Sequence, residues 1–147
     1  MSAQERDGAF QRIAKMAANV FEAPIASVSL VGDDRVWFPA ALGLAGMTDA
    51  PIGPGLIEGL QQRSAPFMVE DPRNDPRTHD HPVVRGEFGV KFYAAAPIAA
   101  DGEVFGALEV MDSKRRRKVE DGRLELLGDL ADTVAHLLQI RVSALDA

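Results

Sequence analysis

Residues 91–112 read KFYAAAPIAADGEVFGALEVMD, and the architecture of the chain follows from this stretch. Asp101-Gly102 is a strong signal for a two-residue β-turn, whose central positions tolerate few other residue types. The flanking runs, Lys91–Ile98 and Glu103–Met111, have strand length and are rich in aromatic, β-branched and small apolar residues. An antiparallel hairpin is therefore expected. If the turn sets the register, Ala100 faces Glu103, Ile98 faces Phe105, Ala96 faces Ala107 and Ala94 faces Glu109. Ala94, Ala96, Ala107 and Glu109 then share one sheet face with Phe92 and Met111, while Leu108 and Val110 point to the other.

Working outward, Phe10, Ile13, Ala14, Ala17, Val20 and Phe21 recur at spacings of three and four and predict an amphipathic helix over residues 4–22, stopped by Pro24. Ile25–Val31 alternates Ala26, Val28 and Leu30 against Ser27 and Ser29, as a strand does. Gly32-Asp33-Asp34 is a turn, and Val36-Trp37-Phe38 opens the second strand of a hairpin. Pro54–Arg63 fits a short helix and Phe67–Val69 a short strand. A long final helix is expected over Val119–Leu145, with Glu120 and Asp121 at the positive end of its dipole. Proline and glycine gather at 39–55 and 72–89, marking two long connections of the kind that carry function. The order of elements is an α+β pattern: one domain over 1–147, an antiparallel sheet with helices on one face.

Composition removes several classes of function. With 22 acidic and 16 basic residues the formal net charge is −6, which repels nucleic acid unless the cations are strongly segregated. One basic cluster exists, Lys114–Lys118, and reads as a solvated loop or as a partner patch. No apolar run approaches the ~20 residues of a membrane span, and the polar start of the chain is no secretory signal, so a cytoplasmic protein is expected, with no nucleic-acid or membrane partner. There is no cysteine, which excludes disulfides, thiolate metal sites and cysteine nucleophiles together.

Four segments in order resemble the GAF domains of bacterial signalling proteins. They are Ile25–Val31 with Trp37-Phe38; Asp71–Arg77 with Pro82-Val83-Val84; Gly89–Pro97; and Gly106–Asp112. The resemblance covers residues 9–141. It implies a twisted antiparallel sheet with the terminal helices on one side and a ligand pocket, roofed by the long loops, on the other. The chain departs from the bilin-binding and methionine sulfoxide reductase branches, both of which need cysteine: no covalent bilin and no such reductase activity are expected. Gly53-Pro54-Gly55 stands where related sequences often read Ser-Phe-Cys, and the acidic-ended signature of the cyclic-nucleotide branch is missing.

Glu109 is the most informative polar residue, because a carboxylate in mid-strand needs a partner from the protein or from a ligand. With it, Ser29, Trp37, Asp71, Phe92, Ala94 and Met111 form the candidate ligand-binding set; no catalytic residue and no metal site is assigned. His79-Asp80-His81 has the look of a metal or haem ligand set but lacks a defined third ligand and an apolar cavity, and His136 reads as structural. The last helix carries two apolar stripes, Leu127, Leu130, Val134, Leu137 and Leu124, Ala131, Ala135, Leu138, Val142, Leu145. One stripe suffices to cover a sheet, so the second points to a homodimer; a helix buried on two sides within one monomer is the alternative. The expected function is a non-catalytic sensory or regulatory domain that binds an unidentified small molecule and signals, through a helical dimer interface, to an effector protein or domain. The alternatives are an enzyme using Glu109 or a loop histidine as acid–base, and a dimerisation module without ligand.

Overall fold

A computed structural model describes residues 8–53, 59 and 64–146, with side chains as far as Gln139. Helix α1 (Ala9–Phe21) is followed by strands β1 (Ile25–Val31), β2 (Arg35–Leu42), β3 (Asp49–Pro51) and β4 (Phe67–Val69). A 3-10 turn (Pro72–Asn74) and the one-turn helix α2 (Pro82–Arg85) come next, then β5 (Phe92–Ala100), β6 (Glu103–Asp112) and helix α3 (Arg123–Asp146). The expected short helix over Pro54–Arg63 lies outside the described residues, as do residues 4–7 of the first helix and the side chains of Val142 and Leu145.

The sheet has six strands in the order β3-β2-β1-β6-β5-β4, with antiparallel neighbours throughout. It is covered on both faces. On one, α1 and α3 pack over Ala26, Val28, Phe92, Ala94, Leu108 and Val110. On the other, the long connections bury Ile25, Val36, Val69, Tyr93, Ala95, Ala107 and Met111 with Val83, Val84 and Val90. The helix layer is thus the one expected from periodicity. Part of the 39–55 connection is sheet, because β2 runs on to Leu42 and β3 adds an edge strand.

Helix α1 ends one residue before the left-handed Glu22, at φ 51°, where the Glu22 and Ala23 N–H groups donate to the carbonyls of Asn19 and Ala18. Arg116 completes this end. Its guanidinium donates to the carbonyls of Phe21 and Glu22, holds the Asp112 carboxylate at 2.6 Å and lies 5.0 Å over the Phe92 ring. One member of the basic cluster is therefore structural, whereas Lys114, Arg115, Arg117 and Lys118 are exposed. Helix α3 begins at Arg123 rather than Val119. Gly122 takes φ 86° and the Arg123 N–H donates to the Glu120 carbonyl, so Glu120 and Asp121 precede the helix as a turn.

The β5–β6 hairpin corrects the expected register. Asp101 (φ 53°) and Gly102 (φ 81°) form the two-residue turn and Ala100 does pair with Glu103. Ala99 then pairs with Val104 but Ile98 with Gly106, leaving Phe105 as an extra, bulged residue. Beyond the bulge Ala96 opposes Leu108, Ala95 opposes Glu109 and Ala94 opposes Val110. Phe92, Ala94 and Ala96 thus face the helices, and Tyr93 and Ala95 take their place beside Glu109. Glu109, Ala107 and Met111 stay on the loop-covered face, as expected, because the bulge absorbs Phe105 and β6 alternates regularly from Gly106 onward.

The two stripes of α3 also merge. Leu127, Ala131, Val134 and Ala135 are all buried in the helix-side core, with Leu124, Leu130, Leu137 and Leu138 packed around them. Two-sided burial within one monomer accounts for both stripes as far as Leu138, so the second stripe does not by itself call for a partner. His136 is exposed rather than packed.

Candidate functional site

Glu109 sits in the middle of β6, 2% exposed, between the sheet and the connection that links β4 to β5. A bare carboxylate there would be costly. Each of its oxygens is instead met by protein donors. Oε1 accepts from the Ser29 hydroxyl, with Ser27 Oγ at 3.4 Å. Oε2 accepts from the Tyr93 hydroxyl and from His81 Nε2 at 2.8 Å. The two serine hydroxyls are 3.0 Å apart. All five side chains are buried.

Strand geometry explains the convergence. Ser27 is paired directly with Glu109 across β1–β6, and Ser29 lies two residues on, on the same face. Opposite Ser29 the β1–β2 pairing slips, with Phe38 and Pro39 set against that one residue. Gly106, paired with Leu30, brings the two backbones close: a Cβ there would lie 1.8 Å from the Ser29 carbonyl oxygen. Tyr93 comes from β5, two residues along from Ala95, which opposes Glu109.

His81 comes from the loop and carries a second duty. It stands at the N-cap of α2, where its Nδ1 accepts the Val83 N–H at 3.1 Å. A nitrogen that accepts bears no proton, so Nε2 carries the hydrogen and donates it to Glu109. This makes the Nε2–H of His81 the donor that faces the ionised carboxylate. Burial, the largest single influence on Glu109, pushes its carboxyl up; electrostatic attraction to His81 and the hydrogen bonds from His81, Ser29 and Tyr93 outweigh it and hold the carboxyl below its ordinary value. The result is a buried carboxylate whose two oxygens are both met by donors. Both imidazole nitrogens are committed, and Ser29 is bonded to the carboxylate rather than to the imidazole, so the group is not laid out as a nucleophile–base pair.

The remaining candidates fall elsewhere. Trp37 is paired with Leu30 and Asp49 toward the β3 edge and is 45% exposed, remote from the carboxylate because β1 lies between β2 and β6. Phe92 and Ala94 are in the helix-side core. Asp71 is exposed, at the start of the 3-10 turn, and accepts from Asn74 Nδ2 at 3.0 Å, as a turn-former does. Ser29, Glu109 and Met111 do lie together on the loop-covered face. Tyr93, Ser27 and, as a partner of Glu109, His81 were not singled out from sequence. A usable signal existed, since the buried tyrosine hydroxyl and the mid-strand carboxylate each demand a partner and satisfy one another. His79 and His81 separate: His79 pairs with Asp80 on the surface at 3.2 Å while His81 is buried. Among the described residues no group of three or more His, Asp or Glu is arranged to hold a metal ion.

A groove of about 730 Å³ opens on the helix side, lined by Leu30, Ala100, Phe105, Ala135 and Leu138. It is formed by the hairpin bulge and the second half of α3, with Phe105 43% exposed, and shares no residue with the carboxylate cluster.

A six-stranded antiparallel sheet with terminal helices on one face and a polar-centred, loop-covered core on the other defines an α+β domain of the sensory type. The chain belongs to the GAF domain family, whose profile matches residues 5–138. It is 33% identical over 129 residues to a cyclic di-GMP phosphodiesterase of Pseudomonas aeruginosa, covering 87% of this chain but 22% of that protein. Among solved structures it is similar to the GAF domain of an Acinetobacter phosphoenolpyruvate-protein phosphotransferase, with TM-score 0.77, 17% identity, and 97% and 86% of the two chains covered. It is similar too to a free methionine-R-sulfoxide reductase of Neisseria meningitidis, with TM-score 0.70, 18% identity, and 92% and 78% covered. At these identities the structural likeness is one of fold. GAF domains are mostly regulatory, and no helix among the described residues is long and apolar enough to cross a membrane.

Proposed function

We propose that this GAF domain is a non-catalytic sensory module that takes a small molecule on the loop-covered face of its sheet, with the Glu109 cluster at the floor of the site, and passes occupancy to the terminal helices. The observation that carries this reading is the cluster itself. A buried carboxylate with three hydroxyls and an imidazole stabilises a fold no better than well-packed apolar residues would. Its position at the seam between sheet and loop suits a point where loop order is read. The sheet supplies the route onward: Leu108 and Val110, on either side of Glu109, pack in the same core as Ala131 and Val134 of α3. Arg116 ties the end of β6 to the end of α1. Met16 on α1 (50% exposed) and Leu126 on α3 (43%) favour the terminal helices as the surface on which two copies pair. Likeness to 22% of the phosphodiesterase favours an output carried by other sequence, with turnover of a cyclic dinucleotide as one candidate.

Native mass spectrometry of the purified protein tests this directly. Retention of a small molecule by a dimer is the expected result, whereas a bare monomer at high micromolar concentration would refute both halves. One observation favours a second reading, a dimerisation module that has no ligand: the oxygens of Glu109 are satisfied within the protein. A bare dimer in the same measurement would select it.

A further inference from the structure

Glu109 accepts from Ser29 and Ser27 at one oxygen and from Tyr93 and His81 at the other, close to the four hydrogen bonds a carboxylate can take. A ligand that reaches this group must therefore displace a donor, and the four donors differ in how they are held. Ser27 and Ser29 belong to β1, which is paired with β6 from Ile25 to Leu30 on one side and with β2, on either side of the slip at Ser29, on the other. Tyr93 belongs to β5, paired with both β4 and β6. None of the three can withdraw without opening a ladder of backbone bonds. His81 alone comes from a connection.

That connection is tied to itself by polar bonds and to the sheet by the buried Val83 and Val84. Thr78 donates to the Pro72 carbonyl at 2.6 Å, Arg77 grips Asp75 at 2.8 Å, and Arg73 donates to the Gly86 carbonyl at 3.2 Å. His81 lies just before those two valine anchors, at the N-cap of α2, and its side chain can swing away without opening a strand ladder. The charge of the site says what could take the place of His81. The acceptor is a buried carboxylate, so a cationic nitrogen at Oε2 would make a charge-assisted hydrogen bond in place of the one from His81.

We infer that His81 is a gate on Glu109: a ligand bearing a cationic nitrogen, an ammonium or amidinium, replaces the His81 Nε2–H on Oε2 and turns the imidazole away from the sheet. The inference rests on the proposed sensory reading and deepens it, naming both the recognised group and the loop event that reports it. Occupancy would break the hydrogen bond that joins His81 to the sheet and disturb the cap of α2, which is the same imidazole.

The test compares wild type with His81→Ala, which empties the imidazole position, using imidazole and methylammonium as probes and acetamide as a neutral control. Binding is followed by two-dimensional amide NMR, with the Val83 and Tyr93 amides as reporters. The variant should bind both cation-forming probes at least about tenfold more tightly than wild type, because no hydrogen bond to a charged group has to be broken first. Adding Glu109→Gln should abolish the gain, and acetamide should show none. Equal affinity in the two proteins, or no binding to the variant, overturns the gate. If His81→Ala does not fold, His81→Asn restores an N-cap for α2 with a side chain too short to reach Glu109, and the same comparison applies. A ligand retained by wild type in native mass spectrometry, together with equal probe affinities, would remove the gate and leave the sensory reading standing.

Discussion

Replacing Glu109 by glutamine removes the charge and keeps the shape, and the cluster dictates how the amide must sit. His81 Nε2–H can only donate, because Nδ1 is occupied by Val83. The amide oxygen must therefore face His81 and Tyr93, and the amide NH2 must face Ser29 and Ser27, whose hydroxyls can rotate to accept it. One serine hydroxyl can donate to the other, 3.0 Å away, but the bonds from His81 and Tyr93 lose their charge assistance and that from Ser29 is reversed, about 1 kcal/mol apiece and ~3 kcal/mol in all. Relief from burying a charge offsets part of this. The offset is incomplete, since the carboxyl is held below its ordinary value, which means that the ionised form is the better fitted of the two. A net loss of about 1–2 kcal/mol is expected, or roughly 3–6 °C in Tm for a chain of this size. Glu109→Ala leaves the His81 and Tyr93 donors bare beside a void and should lose about 3–5 kcal/mol. Urea unfolding followed by far-UV circular dichroism measures both. A glutamine variant as stable as wild type would refute the argument, because the donors would then be gaining nothing from the charge.

Acid should act through the same group. The folded carboxyl titrates below its ordinary value of 4.5, so its contribution is fully present above that pH and is lost as pH falls through the folded value. The stability gap between wild type and Glu109→Gln should accordingly shrink on acidification below about pH 4.5, and a gap that widens would contradict the assignment. Gly106→Ala sets a Cβ 1.8 Å from the Ser29 carbonyl oxygen, a backbone contact that only separation of β1 from β6 relieves. It should lose about 3 kcal/mol or more, while Gly46→Ala, with a positive φ but open space, should lose only about 1–2 kcal/mol in the same unfolding assay. Arg116→Ala removes the donors that close α1 and should destabilise by about 2–3 kcal/mol, with Arg116→Lys recovering only part, since an ammonium cannot span the Phe21 and Glu22 carbonyls and Asp112 together. Equal effects of the two variants in thermal denaturation would show that charge, and not the fork of the guanidinium, is what matters.

The sequence by itself determined the family, the α+β layering and the side of the sheet to which Glu109 belongs. Those features rest on local patterns: the three- and four-residue spacing from Phe10 to Phe21, the Asp101-Gly102 turn, and the alternation of Leu108, Glu109 and Val110. What faces Glu109 was decided only by tertiary structure. Ala94, Ala95 and Ala96 fit either face, so nothing in β5 itself resists a shift of one residue, and the shift was set by the extra Phe105 and the close approach of Gly106 to β1. His81 is 28 residues from Glu109 along the chain, and its pairing depends on how a loop folds over a sheet, which no periodicity encodes. The stripes of α3 carry the same lesson: apolar spacing shows that Ala131 and Ala135 are buried, but only the packed helix layer shows that the same monomer buries them. Local backbone preference is written residue by residue, whereas the identity of a partner across the fold depends on register and loop path, and one bulge resets both.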